Sequence, residues 1–160
     1  MYKRQIQNVL LRIFYDFKFY HNIYTDSERQ SILEKTKPYL KDWNDIGDFP
    51  GLQTPPNIHR EVDLSKLFYA CGMDNSIERC WLNYTRKGFP DHYCWHTHPH
   101  RYTCVYYFDD GPGTVFKGIR KDFQINVPKN TLVVFPAHIF HSAPVHEETE
   151  RYTIAFDFDL

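Results

Sequence analysis

Apolar and polar positions along this chain change their period near Asn75. Before that point the pattern is mixed. Ile6 to Phe19 is apolar and aromatic and reads as a short helix feeding a strand. Ser27 followed three residues later by Gln30 is a capping-box signature, which opens a helix running to about Leu40 with Pro38 near its end. Trp43 to His59 carries Gly and Pro repeatedly and reads as an irregular loop. A second short helix falls around Asp63 to Ala70. After Asn75 strand formers dominate. Ile77–Tyr84, Cys94–His98, Tyr102–Phe108, Thr114–Lys117, Phe123–Val127, Thr131–Phe135 and Arg151–Phe158 are the expected strands, with turns at Asp109 to Gly113 (DDGPG) and at Pro128-Lys129-Asn130. Seven or eight short strands at intervals of roughly ten residues predict a mainly β jelly roll or barrel, with the N-terminal helices packed outside. The chain of 160 residues reads as one domain, 1–75 as helical or irregular support and 76–160 as the β core.

Composition sharpens that picture. Phe (13) and Tyr (12) are abundant, as expected where rings pack on pleated surfaces. A net charge of −1 without any run of Lys or Arg removes the electrostatic footprint of extended nucleic-acid binding, although a nucleobase could still be a substrate. The four cysteines (Cys71, Cys80, Cys94, Cys104) contain no Cys-x-x-Cys pair and read as reduced thiols. The first residues are too interrupted by polar groups for a signal peptide, and no apolar stretch approaches the roughly 20 residues of a membrane span. These features predict a cytoplasmic protein without a membrane partner.

Candidate chemistry sits in the histidines. Of nine in the chain, six fall between His92 and His141. In WHTHPH, His96 and His98 are two residues apart, so on a strand their side chains share a face. His141, just past the strand Leu132 to Phe135 and the turn at Pro136-Ala137, stands where a jelly roll brings late strands opposite early ones. Three imidazoles on one side of an iron-type metal would leave open positions on the other, as catalytic rather than structural sites do. His-x-His is often just two surface residues, and His92, His100, His138 and His146 read as solvated loop residues.

The neighbourhood of those histidines resembles a known family. From Trp81 to Leu160, about half the chain, WLNYTRKG, WHTH, CVYYF, LVVFPAHIFHS and RYTIAFDF match in order and spacing the iron(II)- and 2-oxoglutarate-dependent dioxygenases, in particular the prolyl-hydroxylase-like branch and small oxygenase-like proteins of bacteria and phages. The resemblance implies a double-stranded β-helix, cupin-like in architecture. It implies Fe(II) held by His96 and His141, and 2-oxoglutarate as cosubstrate anchored by Arg151. A guanidinium is a planar fork suited to a carboxylate. Thr153, on Arg151's face, and Tyr107, from a neighbouring strand, would reach the same carboxylate. Of Asn83 and Tyr84 only one can face inward, and Asn83 is preferred. The implied reaction hydroxylates a small-molecule or peptidyl substrate and yields succinate and CO2, with no side chain needed as general acid or base. Substrate contacts are expected from Gly47 to His59 and from the turn near Arg101.

One position departs from the family. Its usual Asp or Glu, two residues after the first ligand, is here His98. A neutral imidazole in place of an anion should lower affinity for a divalent ion. Three readings follow, in this order: a three-histidine site that still uses 2-oxoglutarate; a three-histidine site working with O2 but without 2-oxoglutarate, as in cupin-type dioxygenases; or a degraded site, or one completed by a nearby acid such as Asp91. A metal cupin acting as isomerase or 2-oxoglutarate-independent dioxygenase also suits VPKNTLVVFPAHIFH, but lacks the Glu expected after His-x-His and leaves Arg151 without a purpose. A non-catalytic jelly-roll binding protein is the remaining alternative.

Overall fold

Alternation along the strands builds a sheet with two unlike faces. The computed structural model describes residues 16–42, 51–73, 77–85, 95–118, 120–143 and 150–159. Ten strands form among them: β1 (Lys18–His21), β2 (Lys41–Asp42), β3 (Gly51–Gln53), β4 (Arg79–Thr85), β5 (Tyr102–Tyr107), β6 (Gly111–Phe116), β7 (Phe123–Val127), β8 (Thr131–Pro136), β9 (His141–Ser142) and β10 (Arg151–Phe158). Seven make one antiparallel sheet in the order β1-β8-β5-β10-β4-β3-β2, and three make a second, β7-β6-β9. β10 lies at the centre of the large sheet. Thr153 stands opposite both Asn83 and Tyr107, and Asp157 opposite both Arg79 and Thr103.

Residues two apart share a face, so Arg151, Thr153, Ala155 and Asp157 point one way along β10, and Ile154, Phe156 and Phe158 the other. The second set packs with Leu82, Tyr106 and Val134 against Ile32 of helix α1 (Asp26–Thr36) and Leu67 and Phe68 of helix α2 (Ser65–Ala70). The first face turns toward the small sheet. Between the two, Phe17, Tyr107, Val133 and Phe135 pack with Phe116, Ile125 and Val127. The fold is thus the mainly β jelly roll expected, two antiparallel sheets face to face with helices outside the larger one.

Several local expectations are corrected. Helix α1 opens not at Ser27/Gln30 but with Thr25 as N-cap: Glu28 N–H donates to Thr25 Oγ1 (3.3 Å) and Thr25 N–H to Glu28 Oε2 (2.8 Å). A Glu carboxylate is the stronger acceptor and favours the positive end of the helix dipole, so it outcompetes the Gln amide two residues on. The α-helix ends at Thr36, and Lys37–Tyr39, which contains Pro38, is a 3₁₀ turn. The expected loop from Trp43 to His59 contains β3 and the start of the 3₁₀ turn Ile58–Arg60, while residues 43–50 lie outside those described.

Of Ile6 to Phe19, residues 6–15 also lie outside, and the strand begins at Lys18. In DDGPG only the Asp residues stay in the bend; Gly111 begins β6 at φ +145°, a conformation closed to most side chains. Gly113 then admits close packing, since a Cβ there would meet Ile125 Cγ1 at 2.7 Å. The expected turn at Pro128-Lys129-Asn130 is present. Asn130 sits at φ +58°, its Oδ1 accepting from Tyr24 N–H (3.0 Å) and the Tyr106 hydroxyl (2.8 Å).

Candidate metal centre

Chain closure, not a continuous strand, gathers the histidines. Cys94 to His98 was expected as a strand; Cys94 lies outside the described residues, and the rest contributes only an isolated antiparallel bridge of His96 to His141. His96 and His141 exchange both backbone hydrogen bonds, each at 3.1 Å, and His98 N–H donates to Ala137 O at 3.0 Å. The segment is therefore laid against the β8–β9 connection, which brings the third imidazole to the other two. One ligand atom from each of His96, His98 and His141 lies within 4.8 Å of the others, and among the described residues these three are the group of His, Cys, Asp and Glu able to hold a metal ion.

Tautomers follow from the partners. His141 Nδ1 lies 2.8 Å from Ile139 O, and His98 Nδ1 lies 2.8 Å from Asp157 Oδ2. A carbonyl and a carboxylate accept only, so both Nδ1 atoms carry the proton and both Nε2 lone pairs are available to a metal. His141 is buried, with its ring 4.9 Å from that of Phe135 and 4.5 Å from that of His96. Burial, and secondarily the His96 imidazole, push its pKa down to about 3. It is neutral at any ordinary pH, the form a metal requires. The donor set thus fits a first-row divalent metal: three imidazole nitrogens, two with their outward N–H already held.

The residues named for carboxylate recognition share the inward face of β10, β4 and β5. Arg151 is 7% exposed, and its guanidinium lies over the Tyr107 ring, 4.7 Å from the centroid. Tyr107 belongs to the cluster that also contains Phe116 and Phe135, the rings that flank His141. Burial lowers the Arg151 pKa and raises that of Tyr107. The Tyr107 hydroxyl accepts from Thr114 N–H (3.1 Å) and lies 2.6 Å from Thr114 Oγ1. Thr153 and Asn83 face each other across β10 and β4 on Arg151's face, and Asn83 Oδ1 accepts from Gln53 Nε2 at 2.6 Å. Tyr84 turns the other way and stacks on Tyr152 at 4.8 Å.

Asp91, His92 and His146 lie outside the described residues. His138 is exposed, and His100 pairs with Asp159 (3.1 Å). Of the substrate-loop candidates, Gly51–Gln53 forms β3, and Arg101 O accepts from Ala137 N–H at 3.0 Å beside the histidine segment. Two residues at the centre escaped the sequence reading. Trp81, on the inward face of β4, stacks on the His98 ring at 5.8 Å and 10°. Asp157 stands behind His98, fully buried. Its signal was present, a charged residue on the inward face of RYTIAFDF.

No protein-family model and no curated protein matches the chain by sequence. Solved structures match it by fold. A 2OG-Fe(II) oxygenase-family oxidoreductase from Burkholderia pseudomallei superposes with TM-score 0.65 at 12% identity, over 96% of this chain and 88% of that one. HygX from Streptomyces hygroscopicus, with nickel, 2-oxoglutarate and hygromycin B bound, gives 0.66 at 8%, over 94% and 85%. A prolyl hydroxylase from Trichoplax adhaerens, in complex with a hypoxia inducible factor peptide fragment, gives 0.65 at 13%, over 99% and 91%. At these identities the likeness establishes the fold, a jelly roll of two antiparallel sheets.

Proposed function

We propose that this protein is an iron(II)- and 2-oxoglutarate-dependent dioxygenase that hydroxylates a small-molecule or peptidyl substrate. The observation that carries the reading is the convergence of His96, His98 and His141 within 4.8 Å, inside a fold shared with oxygenases of this type. When bound, iron supplies the O2 chemistry that no side chain offers, coupled to oxidation of 2-oxoglutarate to succinate and CO2, with one oxygen atom entering succinate and the other the substrate.

The chain's own task is to bind, orient and exclude water. The three histidines would hold the metal through one ring nitrogen each and would leave positions for cosubstrate and O2. Arg151 offers a bidentate fork to the far carboxylate of 2-oxoglutarate, buried enough that bulk water does not screen it. Thr153 supplies a hydroxyl on the same face, Tyr107 sets the plane on which the guanidinium rests, and Asn83 faces the cosubstrate from β4. The aromatic wall of Phe116 and Phe135 covers the His141 side of the centre, while His96 stays open to solvent.

The test is succinate release. Protein loaded with Fe(II) and given 2-oxoglutarate and O2 is expected to form succinate slowly without substrate, and His141→Ala is expected to lose both the metal and the turnover. Stoichiometric metal binding with neither succinate nor saturable 2-oxoglutarate binding would overturn the reading in favour of a three-histidine cupin, which the all-imidazole donor set also suits.

A further inference from the structure

We infer that Asp157 is a positioning residue of the metal site: its carboxylate, set behind His98 rather than on the metal, locks that ring and supplies the negative charge the three-imidazole set lacks. The inference rests on the metal-site reading above.

The Asp157 side chain has 0% exposure. Oδ2 accepts from His98 Nδ1 at 2.8 Å, and Oδ1 accepts from the Thr103 hydroxyl at 2.8 Å. Among the described residues, His98 and Thr103 are its hydrogen-bonding partners, and no Lys or Arg lies within ion-pair distance. A carboxylate taken out of water, with an imidazole and a hydroxyl for company, needs a cation nearby. The place left for one is the Nε2 side of His98, where His96 and His141 also aim a ligand atom. Asp157 thus stands directly behind one of the three imidazoles that converge there.

The two second-layer contacts are unequal, and the inequality is informative. His141 is held through Nδ1 by the neutral carbonyl of Ile139, whereas His98 is held by an anion. That anion stands behind the one ligand position where the resembled family uses a carboxylate. A carboxylate on Nδ1–H makes the imidazole a more basic donor at Nε2 and fixes its ring plane, which the parallel Trp81 indole also restrains. With Asp157 included, the site again has two neutral imidazoles, a third bearing anionic character, and one negative charge.

Metal titration of the purified full chain separates this role from a purely structural one. Asp157→Asn keeps the size and an acceptor oxygen while removing the charge. It is expected to weaken Ni(II) and Fe(II) binding by about 10- to 100-fold, with little change in the melting temperature of the metal-free protein. His98→Asp added to Asp157→Asn returns a carboxylate, now as a direct ligand, and is expected to recover at least tenfold of the loss. Affinity of Asp157→Asn within twofold of wild type, or a deficit that His98→Asp leaves unchanged, would overturn the role while the metal site itself stands. A wild-type chain that binds no metal overturns both.

Discussion

At the scale of single residues, Arg151 is where charge and shape separate most clearly. Its guanidinium is pressed on the Tyr107 ring inside the inter-sheet core, a setting that suits a flat, delocalised cation better than a compact ammonium. Arg151→Lys keeps the charge and loses the fork. It is expected to reduce 2-oxoglutarate affinity by about 10- to 100-fold, the worth of a charge-assisted bond or two, while metal affinity stays near wild type. Titration of the nickel-loaded protein with 2-oxoglutarate measures both, and unchanged affinity would remove Arg151 from the site. His141 shows the same discipline in another form. Its burial against Phe135 holds it neutral, so at neutral pH metal uptake displaces no proton from it. Arg151, Thr153 and Tyr107 were readable as candidates because each sits in a string that resembles a family. Asp157 carried a weaker signal, a charged residue on the inward face of the same strand, but its partner His98 lies 59 positions away.

At the scale of elements, the start of α1 carries a testable pH dependence. The Lys66 ammonium, and then the Thr25 backbone and hydroxyl, hold the Glu28 carboxyl down at about 2. A depressed carboxyl stabilises the fold above its unfolded value and loses that contribution as pH falls. The contribution should therefore be complete above about pH 4.5 and decline toward pH 2. Glu28→Gln is expected to flatten stability across that window in denaturant melts at several pH values, and a slope equal to wild type would discount the cap. Thr25→Ala should cost about 1 kcal/mol at neutral pH. The helix was legible in the sequence, but its first residue was not. Thr25-x-x-Glu28 and Ser27-x-x-Gln30 carry the same signature two positions apart, and the charge of Glu28, reinforced by its partner Lys66 on α2, tips the choice. Likewise DDGPG reads as a turn by composition, yet Gly111 and Gly113 are strand residues, because Val127 of β7 pairs with Gly111 and Ile125 packs closely on Gly113.

At the scale of the whole molecule, the inter-sheet core and the metal centre share a wall. Phe135 lies 4.9 Å from both Phe116 and His141, so truncating it should act twice. Phe135→Ala is expected to cost about 3–5 kcal/mol of stability and to weaken metal binding as well, read from denaturant midpoints and metal titration of the same protein. Because the three ligands come from two pieces of chain joined by the His96–His141 bridge, bound metal should brace that junction. Metal at 100 times its dissociation constant stabilises by about 2.7 kcal/mol, which for a chain of this size raises the melting temperature by about 5–10 °C. A chelator should reverse the shift, and a melting temperature indifferent to both would argue against a metal held across the junction.

What the sequence determined alone is what short-range physics encodes. Period-two alternation set the strands and their two faces, the pair His96 and His98 announced neighbouring imidazoles, and Pro128-Lys129-Asn130 marked its turn. What the tertiary structure decided is who meets whom across the closed sheets. Asp157 reaches His98 over 59 positions and Tyr24 meets Asn130 over 106. Such pairings depend on how strands register once the barrel closes, a cooperative outcome of the whole core that no local pattern carries.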